Sequence, residues 1–132
     1  MKLRPNPAPF CFSLGNRGEL VVSHLLKEKG YEILDKNYRC KIGEIDVIAR
    51  RNGRLAFIEV KTRTSGRFGM PQEAVDRKKQ EKIFKRVQWY MKDKRLEGML
   101  VAFDVVAVLW RDRQSPEIRL IQDAYEKEDE AY

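Results

Sequence analysis

The chain has 132 residues, 42% of them hydrophobic and 36% charged, which fits one domain with one core and a densely ionic surface. Its formal charge is +7, but the last ten residues contribute −4, leaving +11 on residues 1–122, a body suited to a polyanion such as nucleic acid. Two cysteines, Cys11 and Cys40, and a single His24 are too few for a zinc cluster, and no run approaches the roughly 18 apolar residues of a membrane span.

Residues 1–12 are punctuated by Pro5, Pro7 and Pro9 and read as a flexible extension without the apolar core of a signal peptide. A cytoplasmic protein with free thiols is the expectation. A single domain is expected over 13–125, followed by an acidic tail over 126–132. A first helix is predicted from about Arg17 to Lys29, with Asn16 as N-cap. Val21, Val22, Leu25 and Leu26 recur at helical spacing there, and Gly30 stops it. His24, on this helix, reads as a surface residue.

Tyr31 to Cys40 reads as a first strand, followed by strands over Ile42–Arg50 and Arg54–Lys61 joined by Asn52-Gly53, a strong hairpin signal. A basic loop is expected from Thr62 to Pro71. A long helix is then predicted over Gln72–Lys94, with Val75, Ile83, Val87 and Tyr90 or Met91 on its apolar face. Trp89 and Tyr90 fall at the border of that face and read as core, with stacking on an unpaired base as the alternative. Met99–Trp110 is predicted as a buried strand and Glu117–Ile121 as a final edge strand. Asp104, inside the apolar run, needs a polar partner if buried, whether as a structural anchor or beside a phosphate. The order α-β-β-β-α-β(-β) predicts an α/β fold with a mixed sheet flanked by helices.

With Asn52 and Gly53 as the central residues of a type I′ turn, paired positions sum to 105, so Asp46 faces Glu59 and Glu44 faces Lys61. Alternation then projects these four from one face and gives Ile45, Val47, Ala56, Ile58 and Val60 to the other. Opposed carboxylates destabilise a hairpin unless one is protonated or a cation lies between them. Mg²⁺ or Mn²⁺ suits two carboxylates with retained waters, and the Val60 carbonyl is a further candidate ligand. Lys61 shares the face of Glu59 and would steady an attacking water or the charge developing at phosphorus. The plainer reading is a surface ladder of ion pairs involving Glu44, with Glu44 otherwise an outer partner of Lys61.

Several stretches carry a resemblance: Gly15 to Leu20, Gly43-Glu44-Ile45-Asp46, Phe57-Ile58-Glu59-Val60-Lys61 with Arg63, Phe68-Gly69 with Pro71, Lys79-Gln80, and Phe103-Asp104-Val105-Val106. This pattern resembles the PD-(D/E)xK nuclease superfamily, and more closely the bacterial YraN family, itself similar to archaeal Holliday junction resolvases. The resemblance implies a restriction-endonuclease-like fold and metal binding by Asp46, Glu59 and the Val60 carbonyl. It further implies Lys61 as catalytic lysine, Glu19 as an auxiliary acid and Gln80 as a residue facing the site. Glu19 also stands where a helix-capping acid would. One departure is Ala102, where the pattern leads one to expect arginine before Phe103-Asp104.

Arg17, Lys41, Arg63, Arg67, Lys78, Lys79 and Lys82 are the cations expected to contact nucleic acid. The function this predicts is a magnesium-dependent endonuclease acting on DNA, branched or otherwise structured, with a homodimer suiting a two-fold junction. The alternatives are a nucleic-acid-binding module of the same fold without chemistry, and a nuclease acting on RNA.

Overall fold

Asn52 (φ +51°) and Gly53 (φ +74°) both take the left-handed backbone of a type I′ turn, and the strands beside them pair in the predicted register, from Arg51 opposite Arg54 to Val47 opposite Ile58. The computed structural model describes residues 15–63, 77–109 and 116–124, with backbone alone for 15–19 and for Arg63. The predicted extension 1–12, the tail 126–132, Val75, Trp110 and most of the predicted basic loop lie outside these residues.

The elements are α1 (Gly15–Glu28), β1 (Glu32–Cys40), β2 (Gly43–Arg51), β3 (Arg54–Arg63), α2 (Arg77–Asp93), β4 (Val101–Leu109) and β5 (Glu117–Ile121). They form one mixed sheet in the order β1-β2-β3-β4-β5, with β3 and β4 parallel and the other neighbours antiparallel. This is the predicted α/β order. The parallel pair needs a crossover, which α2 supplies. No described helix is long and apolar enough to cross a membrane.

Each helix is associated with one of two cores. Val22 and Leu26 of α1 pack with Val47, Ala49, Ala56, Ile58, Val60, Val106 and Val108. Val87, Tyr90 and Met91 of α2 pack with Tyr38, Ile45, Ile48, Leu55, Phe57 and Phe103, where the Tyr38 and Tyr90 rings meet edge to face at 4.8 Å. Full burial of a side chain such as Leu26 contributes about 1.5–3 kcal/mol. Gly30 (φ +92°) closes α1, its N–H donating to the Lys27 carbonyl at 3.1 Å and that of Tyr31 to Leu26 at 2.9 Å.

Three expectations are corrected. The helix already includes Gly15, so Asn16 lies inside α1 and is not its N-cap. Trp89 is 41% exposed and belongs to neither core, because its position on α2 points away from the sheet while Tyr90 turns inward. Ile45, expected beside Val47, lies instead in the α2 core. Strict alternation fails between these two residues, beside Asn37 of β1, whose φ of +51° departs from extended backbone between the pairs Lys36–Val47 and Tyr38–Ile45.

Candidate active site

The β2–β3 ladder ends at Val47 and Ile58, and the strands then follow different partners. Gly43, Glu44 and Ile45 stay paired with Cys40, Arg39 and Tyr38 of β1, whereas Glu59 to Arg63 stay paired with Val105 to Leu109 of β4. The sheet therefore forks, and the next position of the register places Asp46 and Glu59 at the crotch. Backbone groups exposed by such a fork need other partners. The Val60 N–H finds one in the Asp46 carboxylate, donating to Oδ2 at 2.8 Å. Since a strand residue directs its N–H and C=O to the same side, the Val60 carbonyl also faces the fork.

Behind the fork lies a cavity of about 300 Å³, lined by Gly43 to Asp46 on β2, Phe57 to Glu59 on β3, and Ile83 and Arg86 on α2. Arg86 secures the β1–β2 turn, donating from Nε to the Ile42 carbonyl at 3.2 Å and from Nη1 to the Glu44 carbonyl at 3.3 Å. Gly43 (φ +141°) permits this approach, because a Cβ there would run into the Arg86 guanidinium. In the sequence Gly43 stands only as part of a matching stretch, and Arg86 only as one cation of the Arg77–Arg86 cluster expected to contact a nucleic-acid backbone. The contact between them was not legible, because the carbonyl acceptors of Arg86 lie some forty residues away.

Glu59 is half-buried. Its Oε1 lies 3.1 Å from the Lys61 ammonium, which is 18% exposed, and its Oε2 is buried without a hydrogen-bond partner. Lys61 thus pairs with Glu59 and not with Glu44, which forms its ion pair with Arg39 across β1–β2. The fork is the physical reason, since the strands separate before Glu44 and Lys61 would meet. Repulsion between the two acids is offset on both sides, by the Val60 amide at Asp46 and by the Lys61 cation at Glu59.

Among the described residues no group of three or more His, Cys, Asp or Glu side chains converges. The oxygens gathered at the fork belong to Asp46, Glu59 and the Val60 backbone. That donor set, with an unpartnered buried carboxylate oxygen in it, fits a hard divalent ion that keeps several waters and completes its shell on substrate phosphate.

The side chains of Glu19, Arg17 and Arg63, and the whole of Arg67, lie outside the described residues. Gln80 is half-buried on α2 but does not line the cavity. Lys41, in the β1–β2 turn, and Lys78, Lys79 and Lys82, on α2, are exposed. His24 is exposed and lies 2.9 Å from Glu28 one turn on.

Asp104 belongs to a separate polar cluster. It is buried and accepts hydrogen bonds from the Tyr31 hydroxyl at 2.6 Å and the Asp123 N–H at 2.8 Å, so it ties β4 to the end of α1 and to the turn after β5. Burial pushes its carboxyl above the usual range, with the two hydrogen bonds pulling the other way. Burial, and next its bond to Asp104, likewise push the Tyr31 phenol up. Ala102 pairs with Ala56 in the β3–β4 ladder and lines a cavity beside this cluster, towards the Asn52-Gly53 end of the strands and not at the fork.

The comparison with known proteins agrees in extent with this fold. Residues 18–108 match the model of the "Uncharacterised protein family UPF0102", a stretch that runs from α1 through nearly all of β4. A UPF0102 protein of Syntrophus aciditrophicus is 46% identical over 112 residues, covering 85% of this chain and 87% of the relative. One of Geotalea daltonii is 43% identical over 114 residues (86% and 90%), and one of Clostridium tetani 40% over 114 residues (86% and 93%). The chain belongs to the UPF0102 family, the YraN-like proteins.

Proposed function

We propose that this protein is a metal-dependent endonuclease of the restriction-endonuclease-like kind, hydrolysing phosphodiester bonds in DNA at the β2–β3 fork. The observation that carries the reading is the buried, unpartnered Glu59 Oε2 beside Lys61, on a cavity that Asp46 also lines. Opposed acids at a strand fork are costly and have no evident use in a chain that only binds. Asp46, Glu59 and the Val60 carbonyl would hold Mg²⁺ or Mn²⁺, which would supply charge neutralisation at the phosphoryl group and a more acidic water.

The chain's own groups divide the remaining work. Asp46 is fixed by the Val60 amide, so its orientation is set before substrate arrives. Lys61, held at the fork by Glu59, steadies the attacking water or the charge growing on the phosphoryl oxygens. Water adds to phosphorus and gives up a proton to solvent, the bridging P–O bond breaks, and the departing oxygen takes up a proton in turn. The +11 body holds the backbone while this occurs. A homodimer in the cytoplasm, presenting two forks to a two-fold DNA junction, is the assembly that suits this chemistry.

The second reading is a nucleic-acid-binding module without chemistry, favoured by the lack of a third acidic, His or Cys donor among the described residues. A cleavage assay on duplex, flap, four-way junction and single-stranded DNA, and on RNA, with Mg²⁺, Mn²⁺ or chelator separates the two. The endonuclease reading expects metal-dependent cutting of DNA. Binding without cutting under either metal establishes the module.

A further inference from the structure

Five residues of α2, Lys78, Lys82, Lys85, Trp89 and Lys92, follow one another at spacings of four, three, four and three. At helical pitch these positions fall within a stripe about 80° wide and about 21 Å long. The stripe lies opposite Val87 and Met91, which face the sheet, and all five residues are exposed. No ion pair joins any of the four lysines, or Glu81, which borders the row, to a described residue. Like charges three and four residues apart each cost a helix about 0.2–0.5 kcal/mol, so Lys78, Lys82 and Lys85 in succession carry a repulsion that a bound anion would relieve.

We propose that this outward face of α2 is a track for a single-stranded polynucleotide, the lysines gripping successive phosphates and the Trp89 indole stacking against one base. The proposal rests on the nucleic-acid part of the function proposed above and names the form of substrate. Phe84 and Tyr90 pack against residues of the sheet, whereas Trp89 leaves 41% of its surface in water. In a duplex the faces of the bases are covered by their neighbours, and an indole reaches only sugar and phosphate. In an unpaired strand they are free, and base–aromatic stacking is indifferent to sequence. A lipid surface fits less well, because the apolar side of α2 is already buried on the sheet and Trp89 alone would remain to enter a bilayer. Arg86, one turn before Trp89, lines the cavity beside Asp46 and Glu59, so the part of α2 that carries the track on its outer face borders that cavity on another.

The test uses the full chain in chelator, so that binding is read without cleavage. Labelled oligothymidine and a duplex of equal length are titrated at several salt concentrations, and indole emission is followed in a Trp110→Phe background. Oligothymidine should quench Trp89, and Trp89→Ala should weaken its binding about 5- to 150-fold, the range for loss of one stack. Duplex affinity should stay within about twofold. Replacing Lys78, Lys82 and Lys85 by Gln should lower the salt slope for oligothymidine by about 2. Circular dichroism checks that these exposed variants fold. Unchanged oligothymidine affinity in Trp89→Ala overturns the proposal, as does binding only to anionic vesicles. If the track behaves as expected but the parent cuts nothing with Mg²⁺ or Mn²⁺, the proposed chemistry fails and the track stands. If the parent cuts and Trp89→Ala binds oligothymidine normally, the chemistry stands and the track fails.

Discussion

The Asp46 carboxylate accepts the backbone N–H of Val60 at 2.8 Å, in the place where a continued β2–β3 ladder would offer a carbonyl. One side chain thereby caps the fork and is fixed beside Glu59. Two consequences can be separated by substitution. Asp46→Asn keeps an oxygen for the amide and should leave stability nearly unchanged, whereas Asp46→Ala strands a buried N–H and should cost about 1–3 kcal/mol in denaturant unfolding. Calorimetry should show weak Mg²⁺ or Mn²⁺ binding to the parent and none to Asp46→Asn or Glu59→Gln. Parent-like metal binding by both variants would place the ion elsewhere.

Lys61 separates chemistry from affinity. Its ammonium is committed to Glu59 at the fork, while many other cations are available to hold a backbone. Lys61→Ala should lower single-turnover cleavage about 10²- to 10³-fold, the usual loss for one transition-state contact. Equilibrium binding of the same substrate should change far less. Equal cleavage by parent and variant would reduce Lys61 to a structural partner of Glu59.

Gly43 is a steric requirement for Arg86. Gly43→Ala places a methyl group where the guanidinium lies and forces a left-handed backbone on alanine. A loss of about 1–3 kcal/mol is expected from overpacking. Arg86→Ala should remove part of that penalty, and a double-mutant cycle measures it. Strict additivity of the two substitutions would show that the contact carries no energy.

Asp104 gives stability a pH dependence of definite sign. Its folded carboxyl is raised by burial, so its contribution is full below the unfolded carboxylate value of about 3.9 and is lost as pH rises through the raised value. The stability advantage of the parent over Asp104→Asn should therefore shrink from about pH 4 toward neutrality, as read by denaturant unfolding. An advantage that grows over that interval would mean that the hydrogen bonds from Tyr31 and Asp123 outweigh burial.

The hairpin was legible because its turn chemistry is local: Asn52-Gly53 determines which residues face each other without reference to the rest of the chain. The element order and the register as far as Val47 follow from periodicity and that turn. The partners of Glu44 and Lys61 were not legible, because they depend on where β2 parts from β3, and that is decided by pairing with β1 on one side and β4 on the other. Ile45 changed faces for a similar reason, since the non-extended backbone beside it, at Asn37, lies on a different strand. Trp89 and Tyr90 are adjacent in sequence, and only the seating of α2 on the sheet decides which of them is covered.

The crossover between β3 and β4 also orders events in time. Leu55 pairs with Val101, 46 positions away, whereas every partner across the Asn52-Gly53 turn is within 11. Closing the shorter loops loses less chain entropy, so the hairpin should form early and β4 should join later. Substitutions at the turn should then slow refolding, while conservative truncations in β4 should mainly hasten unfolding, a contrast that chevron kinetics would resolve. Asp46 and Glu59 lie just beyond the last pair of that early hairpin, and Glu59 and Lys61 pair only with β4, so the fork takes its final form only when the parallel half of the sheet docks.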